Sequence, residues 1–397
     1  MGGAGVDARD RRARVATAGL FLTNGAVFAN LLPRLPEIKS DLHLTNTVFG
    51  AAVAAFSAGA LVSGPTAGAL IRRFRSSVVA VGGSVLIAAF TLAAGLAPGA
   101  ATLAAALFCA GAADAVTDVA QNAHGLRVQR RYGRFIINSL HAVWSAGAVL
   151  GGLIGAGAIY LEIPRAVQLS ATGALFGGLC LVAYRFLLPG PDHDPPAEGA
   201  RRPAEGAGSL RPVYLALAAL VGIAVGGAVI EDAGSSWATL YLRDALAAPA
   251  ALAALGYVTV VGFQFAGRIL GDRLADRFGQ PGVARAGGLI AAAGMGVALG
   301  FPSVPVTLAG FAAAGFGSAT MVPAAMHAAD ELPGLRAGTG LTLLTWLMRV
   351  GFFGSPLIVG AVADAVGLRV GLLTVPLAGL AVAALAGALR PIRTAGS

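Results

Sequence analysis

The sequence predicts an all-α membrane protein of twelve transmembrane helices in two pseudo-symmetric six-helix bundles, and three observations carry that expectation. The 397-residue chain is 56% hydrophobic and 12% charged, with a mean hydropathy of +0.76, whereas soluble domains carry about a quarter charged residues. Its apolar runs have the roughly 20-residue length of a helical bilayer crossing, not the alternating ten-residue segments of an outer-membrane barrel. Finally, a short pattern recurs at an offset of 204 residues: GALIRRF at 68–74 and DRLADRF at 272–278 share Leu70/Leu274, Arg73/Arg277 and Phe74/Phe278. Gly82 and Gly83 recur as Gly287 and Gly288 after one inserted residue. Repeats of six helices are a transporter architecture.

Hydropathy and turn residues place the predicted helices at 15–36, 46–71, 77–97, 101–126, 135–160 and 164–188, then at 212–236, 250–271, 281–301, 304–329, 337–362 and 367–390. Arg9, Arg11, Arg12 and Arg14 precede the first. Its apolar run is too long for a signal-peptide core and lacks a cleavage site, so it reads as an uncleaved span. Between the sixth and seventh lies PGPDHDPPAEGARRPAEGAGS, with the composition of a solvated linker. The division is therefore an N-terminal bundle at 1–189, a cytoplasmic linker at 190–211 and a C-terminal bundle at 212–397.

Charge placement sets the expected orientation. Of 28 basic residues, Arg34, Lys39, Arg165, Arg243 and Arg369 fall opposite the N-terminus, and Arg349 lies within a span. The others, including Arg72, Arg75, Arg127, Arg130, Arg131, Arg134 and Arg273, share the N-terminal side. By the positive-inside rule both termini are cytoplasmic in a plasma (inner) membrane, and the net charge of +9 is topology, not a nucleic-acid surface. Cys109 and Cys180 lie in apolar segments and support neither a disulfide nor a metal site. Gly147, Gly151 and Gly155 have the spacing of tight helix packing.

On these motifs the chain resembles the major facilitator superfamily over essentially its whole length. That family's cytoplasmic signature, G-x-x-x-D-R-x-G, is met at Asp276, Arg277 and Gly279, with Asp272 in the first glycine's place. In the first half Gly68 matches and Arg73 keeps the basic position, while Arg72 and Arg75 stand where the acid and second glycine are expected. The resemblance therefore implies a gating lock in the second half. EDAGSSWATLYLRD and NAHGLRVQRRYGR look like bacterial members near the fucose-proton symporters, which implies uptake. The three glycines of the fifth helix partly match the signature of proton-drug antiporters, although Gly152 replaces its proline, which implies export.

Predicted helices 3, 6, 9 and 12 carry no central ionisable residue, whereas 4, 5, 7 and 11 do. A charge at the bilayer centre costs roughly 2.5–3.5 kcal/mol on insertion scales, so such residues face a cavity or a partner. On helix 4, Asp114, Asp118, Gln121 and Asn122 project within about a 100° arc. Desolvation and mutual repulsion favour proton binding by such carboxylates. Asp118 is the first choice because Asn122 lies one turn beyond it; helix pinning is the structural alternative. Arg349 either holds a substrate carboxylate or phosphate or neutralises an aspartate. Glu231 matches the acid of the resembling tract, and it and Asp232 are expected near the outer end of helix 7. His141 is read either as a proton relay or as a neutral, hydrogen-bonded histidine. Asn24, Gln264 and Trp144 are candidate cavity residues that equally suit packing. His124 and His327 are expected in solvent, and Trp237 and Tyr241 at the outer interface.

The one lysine, Lys39, follows Ile38, so there is no P-loop. Neither a cofactor, a metal site nor an enzyme is expected. The leading expectation is a secondary transporter with its site between bundles, and the family resemblance implies a monomer. Proton-coupled uptake of a small polar solute comes first, proton-driven export of a drug-like compound or metabolite second, and a non-transporting membrane receptor third.

Overall fold

The computed structural model describes residues 7–133, 136–190, 211–333, 335 and 339–390, excluding the side chains of Asn138, Arg211 and Asp272. The linker expected at 190–211, Arg134 and the Asp272 side chain thus fall outside the described residues, save for the backbone of Gly190 and Arg211. Among the described residues, twelve helical spans are long and apolar enough to cross a membrane. Spans 1 to 6 are Ala8–Asp41, Asn46–Phe74, Ser76–Gly95, Ala100–Tyr132, Ser139–Tyr160 and Arg165–Tyr184. Spans 7 to 12 are Pro212–Ala245, Ala250–Gly271, Gln280–Gly300, Val304–Asp330, Thr339–Val366 and Leu368–Leu389.

Several boundaries differ from the sequence-based expectation, each for a local reason. Span 1 is helical over Ala8–Ala29, passes through a 3-10 turn at Leu32–Arg34 and resumes at Leu35–Asp41, around Pro33 and Pro36. Proline lacks a backbone donor, so it suits the first turn of a new helix and not the interior of an old one. Span 2 breaks likewise at Gly64–Thr66, around Pro65, and restarts as Ala67–Phe74. Span 10 breaks between Val304–Ser318 and Met321–Asp330, just before Pro323. Span 4 runs on to Tyr132 and stops at Gly133, whose left-handed φ of 67° closes the last turn.

Span 7 departs furthest. No proline or glycine interrupts 235–248, and the α-helix Arg211–Leu240 continues as a π-helix at Tyr241–Ala245. Glu231 and Asp232 therefore lie in the middle of the span, not at its outer end. Trp237 and Tyr241 are 0% and 1% exposed, so they are core residues of their bundle and not interface anchors. His124 is also corrected. It is fully buried, with Nδ1 3.0 Å from Ser76 Oγ and Nε2 accepting the Leu188 N–H at 3.3 Å, and it joins spans 3 and 4 to the end of span 6. His327 is exposed, as expected, 3.6 Å from Glu331.

The chain folds as two compact units, Met1–His193 with Pro249–Val258, and Asp194–Ala248 with Thr259–Ser397. The same partners pair inside each: span 1 with 5 and 3 with 4 and 6 in the first, span 7 with 11 and 9 with 10 and 12 in the second. Small residues allow this closeness. A Cβ on Gly147 would lie 2.2 Å from the Leu22 carbonyl oxygen, and one on Gly287 2.3 Å from that of Gly317. The fifth-span glycines are thus spent on packing against span 1.

Candidate functional site

Span 4 presents its polar residues in a graded order. Gln121, at one edge of the arc, is 1% exposed, and its amide donates to the Leu20 carbonyl at 3.1 Å and reaches Ser84 Oγ at 3.4 Å. It pins spans 1, 3 and 4 together and does not join the remaining stripe. Asp114 is half-buried and Asp118 exposed, so the carboxylates face progressively outward from the bundle interior.

Two hydrogen-bonded relays meet this stripe, one helical turn apart. In the first, Trp144 Nε1 of span 5 donates to Asn24 Oδ1 of span 1 at 2.7 Å, and Asn24 Nδ2 donates to Asp114 Oδ1 at 3.1 Å. In the second, Asn122 Nδ2 donates to Asp118 Oδ1 at 3.0 Å and to the Asp118 carbonyl at 2.9 Å, while Asn122 Oδ1 stands 3.0 Å from His141 Nε2. The His141 ring packs edge-on to Phe21 at 5.3 Å. Hydrogen bonds to a charged group contribute about 1.5–3 kcal/mol each, comparable to the cost of holding a carboxylate at depth. The arrangement holds two carboxylates in fixed orientation, one of them joined through a single amide to the His141 imidazole.

The second unit carries its own charged cluster. Gln264 Nε2 of span 8 donates to Glu231 Oε2 at 2.8 Å, and Arg268, one turn further, stands 3.9 Å from the same oxygen. Arg268 was missed by sequence reading, although its i,i+4 spacing from Gln264 was a usable signal. Asp232 is 9% exposed and accepts from Ser236 Oγ at 3.2 Å. Ser355 of span 11 lies against the same carboxyl, yet neither its hydroxyl nor Asp232 Oδ2 makes a well-directed hydrogen bond to a described residue. Ser236 and Ser355 are further residues that polarity patterns alone did not mark. Arg349 is half-buried and makes no hydrogen bond or ion pair with a described residue. Among the described residues no group of His, Cys, Asp and Glu has the arrangement of a metal site.

Of the gating residues, Gly68 lies in the short helix Ala67–Phe74, and Arg73 sits 5.7 Å over the Phe74 ring. Arg277 repeats that contact over Phe278 at 5.3 Å. Asp276 is exposed and forms no ion pair with a described residue. Gly279 has φ 74° and starts the helix of span 9.

Among the described residues, twelve apolar helices with carboxylates and amides hydrogen-bonded inside the spans define a polytopic membrane protein. The chain matches the Major Facilitator Superfamily over residues 17–274 and belongs to that superfamily. It is 29% identical to the uncharacterized transporter y4wD of Sinorhizobium fredii over 93% of this chain and 96% of that one. It is 30% identical to the membrane protein MosC of Rhizobium meliloti over 96% and 91%. Among solved structures, a bacterial homolog of the human lysosomal transporter Spinster superposes with a TM-score of 0.75 at 15% identity, covering 97% of this chain and 98% of that one. The nucleoside transporter NupG gives 0.69 at 13% identity, covering 96% and 98%. Both structures share the fold: all-α, twelve spans, the major facilitator fold.

Proposed function

We propose that this transporter takes up a small polar solute by alternating access, driven by a proton gradient. The chain is then organised as bundles 1–189 and 212–397 joined by a cytoplasmic linker at 190–211, with both termini in the cytoplasm of the inner membrane. The observation that carries the reading is the relay Asp118–Asn122–His141, with Trp144–Asn24–Asp114 beside it. A carboxylate tied through an amide to an imidazole offers a proton two bases at fixed separation. The Glu231, Gln264 and Arg268 cluster and Arg349 supply polar contacts for the solute. The likeness of EDAGSSWATLYLRD to symporter sequences supports uptake over export, because the fifth-helix glycines are accounted for by packing on span 1.

The test begins with a thermal-shift screen of sugars, organic acids, peptides and drug-like compounds to find a ligand. Flux of that ligand is then followed in reconstituted vesicles under an imposed pH gradient. Accumulation driven by inward protons supports the proposal, and movement against the proton flux replaces it with export. Transport indifferent to pH rejects both. Binding without any accelerated flux identifies a receptor.

A further inference from the structure

We propose that a basic recess in the first unit binds the phosphate headgroup of an anionic phospholipid. The recess, about 450 Å³, lies where the starts of spans 1 and 3 meet the end of span 6. Arg9, Arg12, Arg75 and Arg185 line it, with Ser77 and Tyr184 beside them and no acid among the lining residues.

Two independent features set these arginines apart among the described residues. First, none of the four guanidinium groups makes a hydrogen bond or ion pair with a described residue. Asp10, next to Arg9 in the chain, is engaged by Arg131 at 3.0 Å. Four like charges in one recess repel unless an anion sits among them. Second, Arg75 has φ 75° and ψ 148°, a region that side chains rarely occupy. Its counterpart at the offset of 204 residues is Gly279, with φ 74° and ψ 152°. The backbone is the same, and glycine adopts it without strain. An arginine there is strained and makes no compensating contact with a described residue, which is the signature of a side chain kept for a ligand.

The depth and rim of the recess point to lipid. It lies at the ends of three spans, where headgroups reside, and positive pockets between transmembrane helices recognise anionic headgroups. Tyr184 and Phe186 are each 45% exposed at its edge and give an apolar rim for the glycerol and upper acyl chain. The helix of span 3 starts at Ser76 with no side-chain cap, so its first N–H groups add to the field that attracts a phosphate. The positive-inside rule explains arginines on this side of the membrane but neither their convergence nor the strained Arg75.

The test compares purified full-length protein in nanodiscs of phosphatidylcholine alone and of phosphatidylcholine with phosphatidylglycerol, with inorganic phosphate as a separate arm. Phosphatidylglycerol is expected to raise the melting temperature of the wild type, and Arg75→Gly is expected to lose at least half of that rise. In phosphatidylcholine alone, Arg75→Gly should melt at or above the wild-type temperature, since it relieves the backbone. Arg185→Gln should lose a similar share, and Arg72→Gln, an exposed arginine outside the recess, should lose little. A full phosphatidylglycerol effect in both Arg75→Gly and Arg185→Gln overturns the proposal, as does an equal loss in Arg72→Gln. A shift of the same size from inorganic phosphate overturns the assignment to lipid.

Discussion

Arg165 and Arg369 stand 204 residues apart and make the same bond. Arg165 Nε donates to the carbonyl of Gly95 at 2.6 Å, and Arg369 Nε donates to that of Leu299 at 2.5 Å, residues that are themselves 204 apart. Each arginine therefore ties the start of one span to the end carbonyls of another, where helix carbonyls lack internal partners. The offset found in the sequence motif holds at the far side of both units. Arg165 additionally binds Glu37 and Asp41, at 3.0 and 2.9 Å. Those acids are 36% and 54% exposed, so solvent screens most of that gain. Arg369→Ala should cost about 1–3 kcal/mol, and Arg165→Ala only slightly more. Denaturation of the two variants in a common detergent checks the order; a loss several-fold greater at Arg165 would show that the acids dominate.

Asp118→Asn should separate transport from folding. The carboxylate is exposed and Asn122, a hydrogen-bond partner of it, is local, so its loss should change stability by about 0.5 kcal/mol or less. Proton-coupled flux, by contrast, should fall at least about tenfold, because an amide cannot carry the proton. Flux in vesicles and melting temperature of the same preparation are the two readouts. Wild-type coupling in a well-folded variant would remove Asp118 from the mechanism.

What was legible beforehand follows from how far each interaction reaches. Hydropathy marks spans because each is a local run of about 20 residues, and the Asp114, Asp118, Asn122 stripe shows because i,i+4 residues share a face. Gln121 lies at the edge of the same arc, and only the packing of spans 1 and 3 decides that it turns inward to Leu20 and Ser84. Asn24 and Trp144 reach partners 90 and 120 residues away, beyond any periodicity. Arg34 counted in sequence as an outer-side charge, yet it is 5% exposed and bonded to Gln168, Glu37 and the Ile163 carbonyl. Span 7 runs past the end expected at 236 to Ala245, because no proline or glycine follows Gly234 until Pro249.

Asp232 offers a stability test with a definite sign. Its Oδ2 and the Ser355 hydroxyl lie against each other without a well-directed hydrogen bond to a described residue, and an unsatisfied buried polar atom costs about 1–3 kcal/mol. Asp232→Asn supplies an N–H that can donate to Ser355 Oγ while the amide oxygen keeps the Ser236 bond. The variant should melt at or above the wild-type temperature, with a gain of about 1 kcal/mol. Ser355→Ala should also be tolerated, since it removes one unsatisfied hydroxyl. A drop of several degrees in Asp232→Asn would show that the native carboxyl is better satisfied by Ser236 and Ser355 than the amide is.

Arg349 tests the chemistry of the solute. A half-buried guanidinium within a span is expensive unless an anion, carbonyl or water meets it, and it makes no hydrogen bond or ion pair with a described residue. If the solute supplies a carboxylate or phosphate, a fork of two parallel N–H bonds is the favoured geometry, which lysine cannot reproduce despite keeping the charge. Arg349→Lys should then weaken binding of an anionic ligand from the screen by about tenfold, equivalent to ~1.4 kcal/mol. Arg349→Gln should weaken it further, because charge is lost as well as geometry. Titration calorimetry on the two variants separates these contributions: equal affinity in wild type and Arg349→Lys assigns the arginine a point-charge role, and equal affinity in all three takes it out of the binding site.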